Sequence, residues 1–258
     1  MTAPAIKVVD TAEDIKDLLG HLTNLPKDPP SLYIDLEGIN LSRHGTVSIM
    51  QIYHLPRNET YLVDTYTLGE SAFTTPSTNG TTTLKTVLEN PAIKKFFFDV
   101  RNDSDALYAN FGVHLAGIED IQLLELATRC FSKRHINGLA KCIVRDAGLT
   151  LAEKLECSAI KNKGKMLFAP EFGGAYEVFN VRPIPQGIIE YCAQDVCILP
   201  RLWQVYNGRL EKVWKEKVVV EVKNRVDVCL QVEYTGKEIE KALAPPGWEW
   251  RYYCWNMR

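Results

Sequence analysis

The stretch LYIDLEGINL, residues 32–41, is an apolar strand that carries two acids, Asp35 and Glu37. In an extended chain residues i and i+2 share a face, so these two carboxylates project together while Leu32, Ile34 and Leu36 turn the other way into apolar packing. A rise of about 3.3 Å per residue sets their Cβ atoms roughly 7 Å apart. No other D-x-E occurs in the chain. Carboxylates this close repel each other, and a cation relieves the repulsion. Oxygen donors select a hard ion, Mg²⁺ or Mn²⁺. The plainer alternative is a strand that shows two acids to solvent.

Working outward, TAEDIKDLLGHL before this strand has helical spacing, with Thr11 as N-cap and Ile15, Leu18 and Leu19 on one face. SLYIDLEG, VSIMQIYHL and ETYLVDTYTL, separated by short turns, predict an antiparallel meander. The Phe-rich run IKKFFFDV predicts a buried strand, SDALYANFGV a helix stopping at Gly112, and IEDIQLLELATRCF a short strand that becomes helical. GLAKCIVRDAG reads as a further helix. The stretch CSAIKNKGKMLFAPEFGGAYEVFNVRPIP, broken repeatedly by Gly and Pro, predicts a long functional loop. From Gln186 onward the pattern is helical, interrupted at Pro200. Strands first and helices later imply an α/β domain with a mixed sheet and helices packed around it.

The 258 residues suffice for one sizeable domain, or one domain plus an extension. No apolar run approaches a membrane span, and the N-terminus lacks a signal-peptide layout. Seven irregularly spaced cysteines without a C-x-x-C pair predict reduced thiols in a cytoplasmic or nuclear protein and no zinc site. Net charge is −2, but unevenly spread: residues 1–127 carry 9 basic against 17 acidic side chains, and residues 128–165 carry 9 against 3. Such an arrangement suits a cationic wall beside an acidic site, or else a solvated helix face.

Further acids lie at two places. FFFDVRNDSDALYANFG brings Asp99, Asp103 and Asp105 to a strand–helix junction. Asp103 suits the N-cap, and Asp105, just inside the helix, suits a side chain pointing back over the strand ends. In IIEYCAQDVCILPRLW, Tyr191 and Asp195 stand at i and i+4 on one helical face.

As an ordered set these motifs resemble the DEDDy 3′–5′ exonucleases, among them ribonuclease D, the exosome-associated nuclease and the Werner exonuclease domain. RHGTVSIMQI, GLAKC and VRPIPQGIIEYCAQDVCILPRLW add to the likeness, which spans about residues 8–210, and GKMLFAPEFGGAYEVFNVRP looks most like eukaryotic, especially fungal, stand-alone members. The resemblance implies a ribonuclease H-like fold, an antiparallel meander plus parallel strands flanked by helices. It implies an exonuclease domain, set at residues 1–210; the remaining residues 211–258, helical and then aromatic-rich in sequence, are expected as an extension packed on it. It implies two Mg²⁺ or Mn²⁺ ions, with Asp35 bridging both, Glu37 and Asp195 completing the ion that holds the attacking water, and Asp105 supporting the second. Tyr191 would orient that water. The implied substrate is single-stranded RNA or DNA with a free 3′ end, RNA favoured, shortened to nucleoside 5′-monophosphates. Gly38, Ile39, Lys163, Lys165 and Arg182 would contact it, and Lys161, Phe168 and Tyr176 are weaker candidates. The other reading is a catalytically silent scaffold on the same fold that binds RNA or a protein, as in Egalitarian-like proteins. Four mutually repelling acids and the tyrosine favour the enzyme.

Overall fold

The meander forms the centre of a six-stranded sheet. In the computed structural model, which describes residues 4–234 and 239–249, the strands are β1 (Ala5–Val9), β2 (Leu32–Glu37), β3 (Ile49–His54), β4 (Glu59–Val63), β5 (Lys95–Phe97) and β6 (Ile118–Asp120). They stand in the order β1-β4-β3-β2-β5-β6. The β2–β3 and β3–β4 pairs are antiparallel, and β1–β4, β2–β5 and β5–β6 are parallel. The fold is the expected α/β one, a mixed sheet flanked by helices. β1 went unread in the sequence because only Val9 of its five residues is buried, so this edge strand carries no apolar alternation.

The helices are α1 (Ala12–His21), α2 (Thr65–Leu68), α3 (Ser71–Thr74), α4 (Leu84–Glu89), α5 (Arg101–Phe111), α6 (Ile121–Thr128), α7 (Leu139–Asp146), α8 (Leu151–Phe168), α9 (Gln186–Cys197), α10 (Leu199–Asn207) and α11 (Lys212–Asp227). Thr11 and Asp14 close a capping box on α1, and Ile15, Leu18 and Leu19 are fully buried beneath it. α5 ends where Gly112 takes the left-handed conformation, φ 60°. Pro200 lies in the first turn of α10, where its missing N–H costs nothing.

The long loop expected after Cys157 is corrected. Residues 151–168 are one helix of 18 residues, started by a Thr150–Glu153 capping box. Within it only Gly164 is fully buried, so no apolar stripe announced a helix, and the glycine looked like a breaker. Irregular structure begins only at Ala169.

The pleat divides the sheet's side chains. Ile34, Leu36, Met50, Ile52, Tyr61 and Val63 face the larger core with Ile15, Leu18, Leu19 and Phe73. On the opposite face Ile49 and Leu62 join Phe179, Ile184, Ile188, Tyr191 and Cys192 in a smaller core, where α9 crosses β2, β3 and β4. In register, Asp35 lies opposite Gln51 and Glu37 opposite Ile49, so both acids belong to the α9 face.

Beyond α10, α11 packs on α5, α6 and β6, and Trp214 meets Trp248 edge-on with centroids 5.1 Å apart. Trp250, Tyr252, Tyr253 and Trp255 lie outside the described residues. Among the described residues no helix is long and apolar enough to cross a membrane.

Candidate active site

Because β2 and β5 are parallel, their carboxyl ends share one edge of the sheet. β2 carries Asp35 and Glu37 to that edge. After β5 the chain turns through Asp99, at φ 66°, into α5. The Asp120 carboxylate holds this turn by accepting from the amides of Asp99 at 3.0 Å and Val100 at 3.2 Å. Arg225 of α11 donates to Asp120 at 2.7 Å, so a helix distant in sequence braces the junction. From the other face α9 brings Asp195. Carboxylate oxygens of Asp35, Glu37 and Asp195 lie within 4.8 Å of one another.

The fourth expected acid, Asp105, stands elsewhere. It is fully buried in a clamp with Arg43 of the β2–β3 connection, whose amide donates to it at 2.8 Å and whose Nε donates at 2.9 Å. The same guanidinium donates to the carbonyls of Cys229 and Val232, each at 3.2 Å. Asp103 is the acid whose charge bears on Asp35 and Glu37. It is not the N-cap, a position held by Val100; it lies in the first turn of α5, 5% exposed, with Oδ1 lacking any hydrogen-bond partner. Two residues on a helix differ by about 200° in direction, so Asp103 and Asp105 cannot face the same way. Sequence reasoning missed this, although helical geometry already showed that at most one of the pair could reach β2.

Burial, then the charge of Asp195, raises the Asp35 carboxyl from 3.8 to about 7, with Lys161 opposing. Burial, then Asp35, pushes Glu37 well above the usual carboxyl range, and Asp103 adds to it. Burial, then Asp35, does the same to Asp103. An all-oxygen donor set with frustrated charge and an orphaned buried oxygen fits a hard divalent cation. The sign for stability follows from linkage. With carboxyls near pH 4 in the unfolded chain, the folded, metal-free protein holds extra protons between about pH 4 and about pH 7. Asp35 contributes stability below that window, and its contribution is lost as pH rises through it; Glu37 and Asp103, raised in the same direction, act with the same sign. Metal-free protein is therefore expected to melt lower at about pH 8 than at about pH 5, with Mn²⁺ raising the melting temperature more at the higher pH. Melting curves with and without the ion check this; a larger effect of Mn²⁺ at the lower pH is the contrary result.

Tyr191 sits one turn before Asp195 and is 7% exposed. Burial, then Glu37 and Asp195, drives its hydroxyl far above the usual phenol value, so it stays protonated. Its ring lies directly on α8. A Cβ built at Gly164 would stand 2.6 Å from Tyr191 Cδ2 and 2.8 Å from its Cβ, so glycine alone permits this approach. Gly164→Ala is expected to destabilise by about 1–3 kcal/mol through overpacking, although alanine is the better helix former by about 1 kcal/mol. Denaturant unfolding decides, and a stabilised variant would show that the ring gives way.

The residues expected to touch nucleic acid are mostly engaged within the protein. All five N–H groups of Arg182 are used: Nε and Nη2 on Asp64 at 2.5 and 2.6 Å, Nη1 on the carbonyls of Phe179 and Val181 at 2.8 Å each, and Nη2 on Ser48 at 3.2 Å. Arg182 ties the stretch before α9 to β3 and α2, which corrects its reading as a phosphate contact. Lys163 and Lys165 belong to α8, not a loop; Lys163 pairs with Glu190 at 2.8 Å, and the Lys165 ammonium lies 5.9 Å from the Phe172 ring centroid. The Ile39 amide donates to Thr46 Oγ1 at 3.1 Å, and Gly38 is pressed on the Thr46 carbonyl so closely that a Cβ would come within 2.0 Å. Phe168 packs against Tyr176, Phe179 and Tyr191.

A 3′-5′ exonuclease family model matches residues 6–211. Mouse piRNA biogenesis protein EXD1 is 29% identical over 173 residues, 65% of this chain, which spans only 27% of that protein. Among solved structures, Trypanosoma brucei RNase D in complex with RNA U12 superposes with a TM-score of 0.71 at 21% identity, over 95% of this chain and 78% of that one. Brucella melitensis NrnC with bound Mg²⁺ gives 0.60 at 17% identity, over 92% and 100%. At these identities the solved structures show the shared fold. With the family match running over most of the sequence and the acid cluster inside it, the chain belongs to the 3′-5′ exonuclease family.

Proposed function

We propose that this protein is an active 3′–5′ exonuclease that shortens single-stranded nucleic acid, RNA preferred, from its 3′ end and releases nucleoside 5′-monophosphates. The observation that carries the reading is the convergence of Asp35, Glu37 and Asp195 within 4.8 Å, with Asp103, whose Oδ1 has no hydrogen-bond partner, acting on Asp35 and Glu37 through its charge. Asp35, Glu37, Asp195 and Asp103 would hold two divalent ions, Mg²⁺ or Mn²⁺. Such ions supply an activated water and stabilise charge on the scissile phosphate and its leaving oxygen.

The protein's own groups do the rest. The Tyr191 hydroxyl, protonated and fixed by Phe168 and Gly164, donates a hydrogen bond that orients the attacking water. It is a positioning group first, because a phenol raised this far is a poor base. The RNA preference draws support from Trypanosoma brucei RNase D, whose structure holds an RNA oligonucleotide. Residues 1–210 would form the catalytic domain and residues 211–258 the extension, whose Arg225 braces the turn between β5 and α5 through Asp120.

Incubation of 5′-labelled oligoribonucleotide and matched oligodeoxynucleotide with clean protein and Mn²⁺ or Mg²⁺ tests the reading. The expected result is a ladder shortening from the 3′ end, faster for RNA. No shortening of either strand with either ion would leave the scaffold reading. Tyr191→Phe is expected to slow the ladder roughly 10²-fold, the scale of one positioned proton-handling group. An unchanged rate would assign Tyr191 to packing alone.

A further inference from the structure

One cation is built into the acid cluster. The Lys161 ammonium donates to both carboxylate oxygens of Asp195, each at 2.7 Å. It also lies 4.8 Å from the centroid of the Tyr191 ring. Its side chain is only 18% exposed. Its charge opposes the upward shifts of both Asp35 and Glu37. The contact is specific to this position on α8: Lys163 turns to Glu190 and Lys165 to Phe172. It depends on the close seating of α8 on α9 that Gly164 allows, since a helix held further off would withdraw the ammonium from Asp195.

An ion held by Asp195 must take at least one of the two oxygens that Lys161 now occupies. A second positive charge at contact distance from an ammonium is repelled, and strongly so where the surroundings exclude water. The two cations therefore compete for one carboxylate. We propose, resting on the metal-dependent reading above, that Lys161 is an internal competitor of the divalent ion: it neutralises Asp195 in the metal-free protein and must be displaced when the ion loads. Lys161 thereby sets how tightly the ion is held at the Asp195 side of the cluster. Once displaced, the ammonium sits on a flexible four-carbon stem beside the site, where a phosphate is its natural alternative partner.

The test is Mn²⁺ binding to the full chain without nucleic acid, followed by electron paramagnetic resonance of free Mn²⁺ and by calorimetry. Lys161→Met, which keeps the apolar stem and removes the charge, is expected to tighten Mn²⁺ binding about tenfold, equivalent to about 1.4 kcal/mol. Lys161→Arg, which keeps the charge, is expected to stay within about threefold of the wild type. In a melting experiment Lys161→Met should be less stable than the wild type without metal and gain more from saturating Mn²⁺. If a folded Lys161→Met binds Mn²⁺ no more tightly than the wild type, the competitor role is overturned and the metal reading stands. If no protein, wild type or variant, binds Mn²⁺, the metal reading falls and the competitor role falls with it.

Discussion

Asp103→Asn is expected to lower the exonuclease rate at least about 10³-fold, about 4 kcal/mol of barrier, while leaving the fold intact; Asp105→Asn is expected to do nearly the reverse. The two residues are separated by one position, and their surroundings assign them opposite work. Asp103 is buried with one oxygen unsatisfied and with its carboxyl raised by burial and by Asp35, so its charge is a burden on the free protein. Neutralising it should therefore leave the metal-free protein as stable as before or more so. Asp105 is fully buried against Arg43, which anchors the connection after the acid pair to α5 and to the carbonyls at 229 and 232. An amide there leaves the mostly buried guanidinium short of its countercharge, and removing one partner of such a pair costs about 3–5 kcal/mol. Denaturant unfolding and the RNA ladder, measured on both variants, give four numbers. A stable but inactive Asp105→Asn together with an active Asp103→Asn would reverse the assignment.

The second large effect concerns the acids at the centre. Asp35→Asn and Asp195→Asn are each expected to abolish cleavage to below about 10⁻³ of wild type. They should separate in stability. Asp35 carries a carboxyl raised to about 7, first by burial and then by Asp195, so at about pH 8 its charge opposes folding. Asp35→Asn should raise the melting temperature of the metal-free protein at that pH and remove much of the gain from Mn²⁺. Asp195 is the partner of the Lys161 ammonium, and its amide would leave that charge uncompensated at 18% exposure. Asp195→Asn should accordingly gain nothing, or lose stability. Wild-type cleavage by either variant would remove the residue from the mechanism, and equal stability changes would contradict the unequal pairing.

Much of this was legible in the chain itself. The D-x-E pair reads directly, because a strand's period of two leaves Asp35 and Glu37 no choice but a common face. Tyr191 and Asp195 read with equal security from the i, i+4 spacing of a helix. The meander was visible because β2, β3 and β4 are rich in apolar and β-branched residues and are joined by short turns. α8 was not, because a helix that buries only one glycine in 18 residues has no apolar stripe, and the apolar side chains it does pack, Leu167 and Phe168, lie together at its C-terminal end.

The limit of sequence lies where two residues of the same type compete for one role. Asp103 and Asp105 are alike in chemistry, and choosing between them requires the rotation of α5, set by the Asp120–Arg225 brace and by Arg43, which is 62 positions from Asp105. Lys161, 34 positions from Asp195, is equally silent in sequence; only the closeness of α8 to α9 joins them. Periodicity is a local property of the backbone, so the sequence alone determined the central strands, the shared faces and the family they resemble, but not the edge strand β1. Which side chains meet across the molecule depends on how distant segments are oriented, so only the tertiary structure showed Asp105 clamped by Arg43 and the Lys161 ammonium on Asp195.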